Sequence, residues 1–135
     1  MNKKAFEIDT FNRWNIVKQK LHLLNNIPLI TEGEMWWCAV GKNIGVEIMG
    51  KNVAFSRPVI IFKKLDRYSF MAIPVSTKQK SGSWYVPFIF KNKNEVAVLS
   101  QIKIMSASRL YDKMGELDDA DFLKIKDGFK KLYVE

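Results

Sequence analysis

From Gly33 to Pro58 the chain reads GEMWWCAVGKNIGVEIMGKNVAFSRP, and no other stretch restricts the fold as much. Glu34 to Val40 is a short aromatic and β-branched run, and Val59 to Phe62, just past Arg57-Pro58, is another. Such side chains fit a pleated, half-buried surface, so both predict strands. Between them Gly41, Gly45 and Gly50 punctuate a long loop.

The strand pattern continues. Arg57 to Lys64, Tyr68 to Val75, Ser83 to Phe90 and Glu95 to Leu99 are short, apolar and closely connected, and Ile102 to Met105 is a weaker sixth candidate. Phe88, Phe90, Val96 and Val98 alternate around Lys91-Asn92-Lys93-Asn94, which predicts a hairpin with one buried face. Trp36 and Trp37 are adjacent on one strand and must point to opposite faces, one to the core and one to a helix or a dimer partner.

Helices flank the strands. Phe11, Trp14, Val17, Leu21 and Leu24 recur at spacings of three and four, predicting an amphipathic helix over residues 10–25, capped by Asp9 or Thr10 and ended by Asn25, Asn26 and Pro28. Asp118 with Asp121 resembles a capping box, and Phe122, Ile125, Phe129 and Leu132 supply one stripe of a closing helix. The result is mainly β: a small, strongly curved antiparallel sheet with a helix at each end. There is no internal repeat, low-complexity tract or interdomain linker.

At 135 residues the chain fits one domain, able to hide about two thirds of its unfolded surface. Its formal charge of +8 is uneven, with twelve Lys or Arg between Lys51 and Lys113 against only Asp66, Glu95 and Asp112. A basic field of this kind draws in polyanions and supports binding to phosphate backbones, although a merely soluble basic surface has the same composition. The single cysteine, Cys38, excludes an intramolecular disulfide and a cysteine-cluster metal site, and its apolar strand makes it a buried small hydrophobe. Apolar runs fall far short of a membrane span and the amino terminus lacks a signal-peptide core, so a cytoplasmic protein is expected.

The order Gly33-Glu34-x-Trp36-Trp37, Gly45-x-Glu47 and Arg57-Pro58-Val59 resembles the MazF/PemK family of toxin endoribonucleases from bacterial toxin–antitoxin systems. Downstream, Pro74-Val75-Ser76-Thr77 is similar to that family's Pro-x-Thr-[Thr/Ser] strand end, and Ser100-Gln101-Ile102-Lys103 to its Asp/Glu-Gln-[Ile/Val]-[Arg/Lys] segment. Ser108-Arg109-Leu110 and Gly115 to Leu117 complete a likeness over residues 33–134. The resemblance implies an SH3-like barrel of CcdB/PemK type with five to seven strands. It covers a toxin domain, residues 33–135, and leaves residues 1–32 as an amino-terminal helical extension, whose apolar stripe is expected to pack on the barrel, with partner binding as the alternative. It further implies a homodimer that cuts single-stranded RNA at specific sequences without a metal or cofactor, and that a cognate antitoxin peptide silences.

The residues bear on that chemistry independently. Cleavage needs the ribose 2′-hydroxyl to attack phosphorus, stabilisation of the extra negative charge, and a proton for the 5′-oxygen. A histidine pair is excluded within one chain, since His22 is the only one. No carboxylates or histidines cluster at metal-ligand spacing in the strands. Arg57 offers a fixed fork of donors for two phosphate oxygens, and the resemblance makes it catalytic. Ser76 aligns with the family's first Thr, but Thr77 also carries a hydroxyl, and only one of the two can face a site. Glu47 matches the family's loop glutamate, to orient Arg57 or the loop or to act as a general base. Lys51, Lys78 and Lys80 would meet phosphates, and Trp84 and Tyr85 could stack on bases. Gln101 and Lys103 complete the RNA-binding candidates, with a structural role near the site as the default. Two other readings are a CcdB-like gyrase poison on the same barrel and an RNA binder that does not cut, for which Ser76 is the hint.

Overall fold

The computed structural model describes residues 2–135. Helix α1 (Lys3–His22) is followed by β1 (Glu34–Ala39), β2 (Ser56–Lys64), β3 (Ser69–Ser76), β4 (Tyr85–Phe90), β5 (Lys93–Val98), β6 (Lys103–Ser106), β7 (Leu110–Glu116) and helix α2 (Asp119–Tyr133). The seven strands form one antiparallel sheet in the order β4-β5-β3-β2-β1-β7, with β6 pairing β3 off that path. β3 makes the curl. Its first half pairs β6 (Phe70 opposite Met105) and its last residues pair β5 (Ser76 opposite Val96), while β2 runs along its other edge. The sheet therefore bends into a half-barrel, and bulges in the β1–β7 pairing beside Trp36 and Cys38 add to the bend.

Each face of the curled sheet carries a core. One is built from Trp36, Cys38, Val59, Ile61, Phe70 and Ala72. The other joins Met35, Ile60, Ile73, Val86, Phe88 and Ala97 to Ile125 of α2. Alternation along β1 and β2 explains this partition, and it puts Trp36 in the core while Trp37 is half-buried on the opposite face. Burial pushes the Cys38 thiol up to about 12, so it stays an inert thiol. Glu34 is buried and would be raised by that burial. Lys113 Nζ at 2.8 Å, the Thr31 N–H and the Trp36 Nε1–H outweigh it and hold the carboxyl below its ordinary value.

The strand pattern was readable and its edges were not. β7 is a full strand that the alternation did not reveal, because Leu110 is its only fully buried residue, with Met114 partly buried against the second core. The β4–β5 hairpin turns on Lys91 and Asn92 alone, both at positive φ (49° and 65°), so Lys93 and Asn94 belong to β5. Its register sets Phe88 opposite Glu95 and Phe90 opposite Lys93. Val96 and Val98 consequently turn to the other face, and the expected single buried face is replaced by burial of both sides of β5, enclosed by the curl.

The helices also differ from expectation. α1 starts well before residue 10, capped by Asn2, whose side chain accepts from the Ala5 N–H at 2.8 Å, and it ends at His22. Asp9 and Thr10 lie inside it, Asp9 paired with Arg13. Of the expected stripe only Trp14 is buried, Val17 and Leu21 pack beside it, and Phe11 and Leu24 are exposed. Asp118 is the N-cap of α2 but its side chain makes no capping hydrogen bond, so the box with Asp121 does not close. The stripe of α2 does dock, with Ile125 fully buried and Phe62 packed between Phe122 and Phe129. Among the described residues no helix is long and apolar enough to cross a membrane.

Candidate active site

Arg57 is the second residue of β2, directly opposite Cys38 on β1, at the point where the core face formed by Val59 and Ile61 runs out. The guanidinium is half-buried. Its Nε donates to the Met49 carbonyl at 3.0 Å and its Nη1 to the Val75 carbonyl at 3.4 Å, and no carboxylate pairs with it among the described residues. Burial lowers its pKa from the ordinary arginine value, a sign of incomplete solvation. A half-buried cation held by two carbonyls retains free N–H donors, and an anion is the partner that would complete it.

The long β1–β2 loop supplies the Met49 carbonyl. Gly50 N–H donates to the Gly41 carbonyl at 2.8 Å, and Lys51 and Ser56 close a bridge that brings the chain back into β2. The loop is pinned from below by Gln101, whose Oε1 accepts from the Ile48 N–H at 3.1 Å and whose Nε2 donates to the Val46 carbonyl at 3.2 Å. A primary amide can imitate a strand edge in this way, with one donor and one acceptor side by side.

A cleft of about 250 Å³ opens beside Arg57, reached also by Lys51, Ser76, Lys78, Lys80, Tyr85 and Gln101. Those side chains bring together most of the candidates read from the sequence. The cleft carries four cations and no carboxylate. Ser76, not Thr77, shares it with Arg57; Ser76 Oγ accepts from the Lys78 N–H at 3.2 Å, which leaves its hydroxyl proton free to donate. Thr77 lines only a second, larger groove of about 650 Å³ on the far side of Arg57 and Ser76. Lys80 lies 5.5 Å over the Tyr85 ring, so cation and aromatic face sit together at the mouth.

Other candidates are not in the cleft. Glu47 is exposed and its Oε1 accepts from the Ile44 N–H at 3.0 Å, so it shapes the loop's own turn and does not touch Arg57. Trp84 packs edge-on to Tyr133 at 6.0 Å, and Lys103 is exposed on β6 beside Ala72. His22 is exposed at the end of α1. The sequence reading missed Lys91, Lys93 and Glu95 of the second groove. The hairpin turn was the available signal, since its register fixes where those side chains go.

A curled half-barrel with an unpaired, half-buried guanidinium in an all-cationic cleft is the frame of an anion-binding protein. Residues 31–133 match the family described as PemK-like, MazF-like toxin of type II toxin–antitoxin system, and the chain belongs to that family. α1 precedes the matched span. Among solved structures the chain is similar to MazF of Deinococcus radiodurans, at 15% identity over 78% of this chain and 96% of that one, TM-score 0.65. It is also similar to an endoribonuclease in complex with its cognate antitoxin from mycobacterial species, at 18% identity over 80% and 97%, TM-score 0.60. The MazE–MazF structure of D. radiodurans follows at 11% identity over 79% and 97%, TM-score 0.59. At these identities the likeness is one of fold. No curated protein matches the chain in sequence.

Proposed function

We propose that this toxin is a metal-independent, sequence-specific endoribonuclease that cuts single-stranded RNA at the Arg57–Ser76 cleft. The half-buried Arg57, lacking a carboxylate partner in a cleft of cations only, carries this reading. The 2′-oxygen attacks phosphorus as its proton leaves, the P–O5′ bond breaks, and the 5′-oxygen gains a proton, giving a cyclic phosphate and a 5′-hydroxyl. Arg57 holds the scissile phosphate and stabilises the extra charge that develops on it. The Ser76 hydroxyl donates to a phosphate oxygen, Lys51, Lys78 and Lys80 neutralise neighbouring phosphates, and Tyr85 stacks on a base. The protein works in the cytoplasm as a homodimer. A cognate antitoxin peptide, acidic and apolar, silences it by occupying the same basic surface. The family membership and the endoribonuclease–antitoxin pairing of a structural relative support this assignment.

Incubation with long mixed-sequence RNA in EDTA, followed by mapping of 5′-hydroxyl ends, tests it. Discrete cuts by the wild type, reduced about 100-fold or more in Arg57→Ala as for loss of a transition-state donor, are expected. RNA that is bound tightly and stays intact would instead make this a binding toxin.

A further inference from the structure

Two carboxylates, Glu34 and Glu95, are buried among the described residues; Glu34 is paired with Lys113, and the unpaired one is Glu95. It is 8% exposed, and no hydrogen bond or ion pair reaches its carboxylate among the described residues. Burial raises its pKa and Lys93 partly offsets that. The Glu95 side chain is largely covered, while the carboxylate oxygens, which take no protein donor, still reach water in the second groove, where a ligand's donors can replace that water.

Its position indicates the ligand. Glu95 lies on the wall of the 650 Å³ groove, whose lining also includes Arg57 and Ser76 of the cleft. Since Ser76 pairs with Val96, the register brings Glu95 alongside Thr77. Trp37, Pro58 and Phe90 give the groove flat apolar surface. Charged groups reach it from every side: Lys93 on β5, Lys91 in the turn, Lys51 in the β1–β2 loop, Arg57 near the start of β2, and Asp112 and Lys113 on β7. Lys93 opposes the effect of burial and so favours the ionised carboxylate, and the unpaired cations would meet the phosphates flanking a bound nucleotide. Because Arg57 and Ser76 line both the cleft and this groove, a nucleotide next to a phosphate held on Arg57 lies within reach of it.

We propose that Glu95 reads a guanine beside the scissile phosphate, its two oxygens accepting from the N1–H and N2–H donors of that base while Trp37 or Phe90 supports the ring. The inference rests on the RNA-cleavage reading above. Single-stranded bases are read on their Watson–Crick edges. Guanine alone offers two adjacent donors there, matching a carboxylate's two acceptors. Uracil sets its one donor between two carbonyl oxygens, and adenine and cytosine each place a lone pair next to their amino group, which an ionised carboxylate repels.

Two measurements test it. The first maps cuts in long RNA made by the wild type and by Glu95→Gln. The second measures, by fluorescence anisotropy, binding of uncleavable 2′-deoxy octanucleotides of uracil with one central guanine, hypoxanthine, adenine or cytosine. In the wild type a guanosine should hold one fixed place at every cut, and replacing guanine by hypoxanthine, which lacks the N2 amino group, should weaken binding about tenfold. In Glu95→Gln both preferences should vanish while cutting continues. The hypoxanthine comparison uses the unaltered protein, so a folding defect in the variant cannot produce it. Equal binding of guanine and hypoxanthine, or a guanine preference that survives in Glu95→Gln, overturns the proposal. So does a fixed adenine or cytosine whose preference grows as pH falls, since that marks a protonated carboxyl. A hypoxanthine penalty without cleavage would refute the nuclease reading and leave base reading intact, whereas cuts without a fixed guanosine would do the reverse.

Discussion

The two walls of the Arg57 cleft are built by different physics. One wall is strand: Ser76 pairs with Val96 across β3 and β5, Val98 pairs with Tyr85 across β5 and β4, and α2 closes on these strands through Ile125 and through Gly128, where a Cβ would sit 3.0 Å from Leu99 and 3.1 Å from Val86. The other is the β1–β2 loop, with Ile44, Val46 and Val53 more than three-quarters exposed. A ladder shares its load among many equivalent bonds, but an irregular loop depends on a few anchors. Among them are Asn43, whose Nδ2 donates to the Val40 and Ile48 carbonyls, Gln101 beneath Val46 and Ile48, and α1 behind Gly41. The positioning of Arg57 should therefore be most sensitive on the loop side, where its Nε bond to Met49 lies.

Trp14→Ala should have the largest effect. Trp14 is 6% exposed, packs 5.5 Å from Phe55 and lies so close to Gly41, itself at φ +94°, that a Cβ there would fall 2.5 Å from the indole. Arg109, which donates to the Ala39 and Val40 carbonyls, lies 5.8 Å from the same ring. Truncating a buried tryptophan costs about 3–5 kcal/mol, which thermal or denaturant melts would measure. At temperatures where the variant stays folded, RNA cleavage should still fall, with partial recovery in Trp14→Phe. Full activity in folded Trp14→Ala would show that the loop holds Arg57 without the helix.

Gln101→Ala comes next and separates position from stability. Two hydrogen bonds to the loop disappear, each with a net value of about 1 kcal/mol, so the melting temperature should move by a few degrees at most. Cleavage should drop out of proportion to that shift, in kcat more than in KM, because the Met49 carbonyl loses its support while the cationic rim is unchanged. A purely RNA-contacting role for Gln101 would raise KM instead.

The same division decides what could be read from the sequence. Alternation in β1 and β2, together with the arginine and hydroxyl motifs, located the strand wall and put Arg57 and Ser76 in one cleft. Parity along β3 even separates Ser76 from Thr77 once the register is known. The loop wall resisted reading: glycines marked Gly41 and Gly50 as turns, but nothing local shows that Glu47 folds back on Ile44 while Gln101, distant in sequence, takes up Val46 and Ile48. α1 departs from its pattern for a related reason. Its apolar residues suggested a packed stripe, whereas one indole does most of the docking and Phe11 stays exposed.

The smallest effect is expected on the strand side, with Tyr133→Phe. Tyr133 is the last residue of α2, and its hydroxyl donates to the Leu99 carbonyl at 2.7 Å, tying the helix end to the turn that follows β5. The ring keeps its packing on Phe129, 5.1 Å away, when only the oxygen is removed. One partly exposed hydrogen bond should cost about 1 kcal/mol or less, seen as a small shift in denaturant midpoint. RNA cleavage should be unchanged, because Val96 remains paired on both sides of β5 and Val98 remains paired with Tyr85 of β4. A loss of activity comparable to that of Gln101→Ala would mean that the strand wall, too, hangs on single contacts.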